Sequence, residues 1–121
     1  MSQSLALVFP GQGSQQSGML ADLANEYPVI QETFSEASAV LGFDLWDLVQ
    51  DGLEADLNST ENTQPALLCS SVALWRLWHQ IGGETPSVVA GHSLGEYSAL
   101  VCTGAVSYTH LTLPTNTNAC R

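Results

Sequence analysis

Lysine is absent from this chain, and only Arg76 and Arg121 carry fixed positive charge against twelve Asp and Glu, a formal net charge of −10. A surface so poor in cations has little with which to neutralise phosphates, which argues against a nucleic-acid or anionic-membrane partner. Cysteine is scarce as well. Cys69, Cys102 and Cys120 stand far apart, with no C-x-x-C and no paired-histidine spacing, so neither a metal site nor a disulfide framework is expected. Cys69 and Cys102 read as small core residues. Long apolar runs are missing too. The run at residues 5–10 is too short for a signal sequence or a membrane span, and residues 1–5 hold no basic side chain. The expectation is a cytoplasmic protein.

What is present suffices for one domain. The chain has 121 residues, 45% of them hydrophobic, enough for one small core and too little for two. Residues 5–9 (LALVF) end in Pro10 and the loop 11–15 (GQGSQ), the pattern of a buried strand leading into a turn. Met19, Leu20, Leu23 and Ala24 predict a short helix up to Tyr27. Pro28 then opens a second, with Val29, Ile30, Thr33, Phe34, Ala37 and Leu41 on one stripe and Gly42 as its stop. Residues 43–57 predict two short helical turns around Gly52, and the polar stretch 58–64 reads as a loop. Pro65 is expected to open a helix reaching Ile81, mostly buried because Leu67, Leu68, Val72, Leu74, Trp75, Leu77 and Trp78 cover nearly all its sides. Gly82 and Gly83 stop it. Residues 87–90 (SVVA) predict a second strand, and the turn 91–95 leads into a helix to about Thr103. Strand, helices, strand, helix is an α/β order, with a partial parallel sheet flanked by helices.

Two loops of this scheme carry chemistry. Gly91-His92-Ser93-Leu94-Gly95 is a G-x-S-x-G between an apolar strand and a helix, the nucleophile-elbow arrangement. Glycine is required on both sides because the serine occupies a tight strand-to-helix turn in which a neighbouring Cβ would clash. The Leu94 amide, at a helix N-terminus, is then aimed at an oxyanion formed on Ser93. The second loop, Gly11-Gln12-Gly13-Ser14-Gln15, leaves the C-terminal end of the first strand, the edge at which open parallel sheets bind ligands. Gln16 stands where a dinucleotide fingerprint needs glycine, and no Gly-Lys-Ser/Thr is present, so a backbone oxyanion donor is the better use of this loop.

In this order and spacing, FPGQGSQ (9–15), TQPALL (63–68) and AGHSLGEYSALV (90–101) resemble the bacterial malonyl-CoA:acyl-carrier-protein transacylases of type II fatty-acid synthesis. The likeness spans about residues 4–105. It implies the larger, hydrolase-like subdomain of the acyltransferase fold, with the family's smaller ferredoxin-like subdomain missing. It also implies transfer of a malonyl group from malonyl-CoA to the phosphopantetheine thiol of acyl carrier protein, in the cytoplasm, by a monomer without a cofactor. Ser93 matches the acylated nucleophile. Gln12 and Leu94 match the residues whose amides form the oxyanion hole, Gln64 and His92 match supporting polar residues, and Gly11, Gly13, Gly91 and Gly95 match the structural turns.

The family's general-base histidine and carboxylate-binding arginine match nothing here. His79, His110 and Arg76 do not stand in their places, so the chain alone is expected to be inactive. At −10 it would also repel the anionic carrier protein and coenzyme A. Residues 106–115 (VSYTHLTLPT) resemble the translation of a transposon-derived sequencing adapter, and residues 106–121 are expected to be a non-native tail behind an acyltransferase part at 1–105. Two other readings compete: a serine hydrolase of the lipase or esterase kind, which shares the elbow but not GQGSQ or TQPA, and a truncation product without a role.

Overall fold

A computed structural model describes residues 5–91 and 95–102. Two strands and six helices follow one another as β1 (Ala6–Phe9), α1 (Ala21–Glu26), α2 (Pro28–Leu41), α3 (Leu45–Asp51), α4 (Glu54–Leu57), α5 (Thr60–Gln80), β2 (Val88–Gly91) and α6 (Gly95–Cys102). The strands pair in parallel, Ala6 opposite Val88 through Phe9 opposite Gly91. Below the ladder, the Ser87 amide and hydroxyl both donate to the Leu5 carbonyl, at 2.9 and 3.2 Å. The expected α/β order with a partial parallel sheet is what the chain adopts.

The core is helical. Ile30, Phe34 and Ala37 of α2 meet Leu45 and Val49 of α3 and Leu68, Val72 and Ala73 of α5 with almost no exposure. The α2 stripe is buried as its period of 3.6 requires, with Pro28 at the start and Gly42 at φ 86° closing the end. Ser38 joins α2 to α3: its hydroxyl donates to the Phe34 carbonyl at 2.8 Å and accepts the Leu45 amide at 2.9 Å. Asp44 caps α3 through the Asp47 amide at 3.0 Å. Edge-to-face packing of Phe34 on Trp46, centroids 5.0 Å apart, closes this corner.

Four expectations are corrected. The stretch 58–64 is not a loop, and Pro65 does not open the helix: α5 begins at Thr60, and Pro65 lies inside it. Proline at this point withholds only one N–H from the ladder, toward the Glu61 carbonyl. Side chains strap the polar turn before it. Asn62 Nδ2 donates to the Asp56 carbonyl at 3.0 Å, and the Thr63 hydroxyl donates to the carbonyls of Leu57 and Ser59. Second, β1 is not buried. Phe9 is, but Val8 is 71% exposed, because the strand's outer face has no cover among the described residues. Third, α5 is buried at Thr63, from residue 65 to 73 and at Leu77, while Leu74 and the following Ile81 are exposed. Leu7, Val8 and Pro10 instead face Leu74, Trp75 and Trp78 across an apolar groove of about 310 Å³. The second strand lies one residue later than expected.

Cys69 is fully buried, in the core as expected. Cys102 is half-buried at the end of α6, and its burial pushes the thiol from 9.0 up to about 12, the positive charge of Arg76 pulling weakly the other way. The sign is that of a neutral group that resists ionising, so the contribution of Cys102 to stability is flat below pH 9.0 and falls as pH rises from there toward 12. At pH 8 the thiolate population at Cys102 is about a thousandfold below that of an unfolded cysteine. Alkylation by iodoacetamide, followed by peptide mass spectrometry, is therefore expected to label Cys102 about a thousandfold more slowly in the native chain than in urea, the native rate rising tenfold per pH unit up to about 12.

Candidate active site

Both loops singled out by sequence leave the same edge of the sheet. In the parallel pair, Phe9 lies opposite Gly91, so the loop after β1 and the turn after β2 start side by side. His92, Ser93 and Leu94 lie outside the described residues, but the glycines that frame them do not. Gly91 is the last residue of β2 and Gly95 the first of α6. A Cβ built on Gly95 would lie 2.1 Å from the Phe9 carbonyl oxygen and 3.0 Å from that of Pro10. The second glycine of the motif is thus demanded by the backbone of the first strand, and it brings the start of α6 directly against the entry to the 11–15 loop.

That loop is held by its own atoms and by α5. Gly13 sits at φ 109°, open to glycine and strained for other residues. Its amide donates to Gln15 Oε1 at 2.8 Å, and the Ser14 amide donates to the Gly11 carbonyl at 3.4 Å. Of the three successive amides at 12, 13 and 14, that of Gln12 alone has no partner among the described residues. An N–H without a partner among the described residues is what an oxyanion donor needs. The Gln12 side chain turns away and donates through Nε2 to Thr60 Oγ1 at 2.9 Å, while Gln15 Nε2 donates to Asn58 Oδ1 at 2.9 Å.

Gln64 lies one helical turn beyond Thr60, on the same face of α5, half-buried. It is thereby placed toward the loop, on a helix rather than in the loop that the sequence suggested. Sequence reading missed Asn58 and Thr60 altogether. The only signal was a polar stretch with a Ser-Thr pair, which also fits solvent-facing loop.

The remaining candidates stand elsewhere. His79, exposed near the end of α5, packs edge-on against Trp75 at 4.3 Å. Arg76 is engaged on α2, paired with the Glu36 carboxylate and donating to Thr33 Oγ1 at 3.1 Å. His110 lies outside the described residues, as does everything from 103 onward. Among the described residues no group of three or more His, Cys, Asp and Glu could hold a metal ion, and no helix is long and apolar enough to cross a membrane.

Comparison with known proteins places these features in a wider set. The acyl transferase domain matches residues 6–111, taking in both loops and running into the first residues of the segment read as a tail. A malonyl CoA-acyl carrier protein transacylase of Salmonella typhimurium is 63% identical over 103 residues, 85% of this chain and 33% of that protein. The crystal structure of an acyl carrier protein S-malonyltransferase from Vibrio cholerae superposes with a TM-score of 0.92 at 60% identity, covering 94% of this chain and 37% of the other. A malonyl-transacylase solved in complex with a type II polyketide acyl-carrier protein superposes with a TM-score of 0.93 at 59% identity, over the same shares. The chain spans about a third of the length of these relatives.

Proposed function

The chain belongs to the acyl transferase domain family, and from that premise we propose that it carries the N-terminal part of an enzyme moving a malonyl group from malonyl-CoA to the phosphopantetheine thiol of an acyl carrier protein. The observation that supports this reading is the seating of Gly95 on the Phe9 and Pro10 carbonyls, which brings the start of α6 against the entry to the loop that holds Gln12. Ser93 Oγ attacks the thioester carbonyl, the carbonyl oxygen gathers negative charge, and the amides of Gln12 and Leu94 receive it. Collapse of that adduct expels the coenzyme A thiolate and leaves malonyl-Ser93. The carrier-protein thiol then attacks the ester, and Ser93 leaves with a proton. No cofactor enters; malonyl-CoA is a substrate. Gln64 and His92 play supporting polar roles, and Gly11, Gly13, Gly91 and Gly95 keep the two turns tight.

Two functions must come from elsewhere in a full-length domain. Neither proton transfer runs without a base, and His79 is packed on Trp75. Malonyl selectivity calls for a guanidinium facing the substrate carboxylate, and Arg76 is held by Glu36 and Thr33. The deciding experiment is intact-mass analysis after incubation with malonyl-CoA, on the 121-residue chain and on a chimera joining residues 1–105 to the remaining two-thirds of the Salmonella relative. A malonyl adduct is expected on the chimera, lost with Ser93→Ala, and none on the chain alone. An adduct that survives Ser93→Ala assigns the nucleophile elsewhere.

A further inference from the structure

The 11–15 loop is a poor platform for an oxyanion donor if left to itself. Gln12 is exposed and flanked by two glycines, and among the described residues the only backbone hydrogen bond across the loop is the long one from Ser14 to Gly11, 3.4 Å. Glycine-rich backbone has the most conformational freedom to lose, whereas oxyanion stabilisation depends on donors fixed before the charge appears. The rigidity has to be supplied from outside the loop.

Two side-chain ties supply it, from residues 48 and 43 positions away: Thr60 to Gln12 and Asn58 to Gln15. Both anchors are built into helix ends. Asn58 caps α4, its amide donating to the Glu54 carbonyl at 3.0 Å, and Thr60 is the first residue of α5. The turn between them is itself strapped by Asn62 and Thr63. Gln15 works at both ends, Nε2 on Asn58 and Oε1 on the Gly13 amide. It thereby takes up the Gly13 N–H that would otherwise compete with Gln12 for a negative oxygen.

We propose that Asn58 and Thr60 are positioning residues for the Gln12 amide, acting through the side chains of Gln15 and Gln12; the proposal rests on the acyl-transfer reading of the site. Asn58 matters as an acceptor for Gln15, so aspartate replaces it and alanine does not. Thr60 matters as an acceptor for Gln12, so serine replaces it and valine does not.

The test pairs two readings. In the 121-residue chain, Asn58→Ala is expected to raise amide exchange at Gly13 about fivefold by NMR, with the core amides of Ile30 and Leu68 unchanged. In the chimera, Asn58→Ala and Thr60→Val are each expected to lower kcat for malonyl transfer about tenfold with KM within twofold, since the donor they orient acts in the transition state. Asn58→Asp and Thr60→Ser stay within twofold of the parent in kcat. Equal losses for Ala and Asp at position 58, faster exchange at the core amides as well as at Gly13, or an active chimera indifferent to Asn58→Ala overturn the proposal. A parent chimera with no transfer activity overturns the acyl-transfer reading itself, a result distinct from these.

Discussion

Gly95→Ala is expected to cost about 3 kcal/mol of stability and on the order of 100-fold in Ser93 acylation, far more than one methyl group usually does. The added Cβ has no room: it would lie 2.1 Å from the Phe9 carbonyl oxygen, about an ångström short of any tolerated contact, and 2.8 Å from its carbon. The atoms it meets are backbone, so no side chain can swing aside. Relief requires α6 to lift from β1, and that movement carries the start of α6 away from the entry to the Gln12 loop. A urea titration followed by circular dichroism reads the first effect, and the rate of malonyl adduct formation in the chimera reads the second. An unchanged midpoint and rate would mean that the two loops are not in contact.

Phe34→Ala is the second large effect, at about 4 kcal/mol. Phe34 is fully buried where α2, α3 and α5 meet, and it stacks edge-to-face on Trp46, so truncation leaves a void and an orphaned ring. A domain of ordinary stability has 5–15 kcal/mol in all, roughly, and this one exposes Val8, Val88 and Ile81 besides. The variant is expected to lose most of its far-UV helical signal at 25 °C, while Phe34→Leu, nearer in volume, costs about 1 kcal/mol and keeps it. A cooperative melt of Phe34→Ala at the parent midpoint would contradict a core centred on this ring.

How much of this was legible beforehand depends on the range over which each feature is encoded. The second helix could be read to the residue, because Pro28, the apolar stripe and Gly42 are all local signals. The start of α5 could not. Its first turn is polar, and the proline rule drew attention to Pro65, whereas the true start is fixed by Asn62 and Thr63 reaching back to Asp56, Leu57 and Ser59. Exposure of β1 was hidden for another reason: LALVF is apolar whether or not anything covers it, and burial is a property of neighbours. At the site, the elbow glycines were legible as a motif, and the structure adds what Gly95 touches. The ties to Asn58 and Thr60 were out of reach, since nothing in the spacing of GQGSQ says that a stretch more than forty residues away will lie beside it.

The parallel ladder between β1 and β2 also sets an order of events. The bond below it joins Ser87 to Leu5 across 82 residues, whereas α3 and α4 pack on their chain neighbours and Arg76 of α5 reaches Thr33 of α2 across 43. Closing a loop of that length costs about 4 kcal/mol of chain entropy before a single rung is made. Contacts of such high sequence separation form late, after the helices between them have shortened the gap. The loop after β1 and the start of α6 are brought together at the end of that ladder, so the helical core condenses first and this edge of the sheet is the last part of the described structure to come into being.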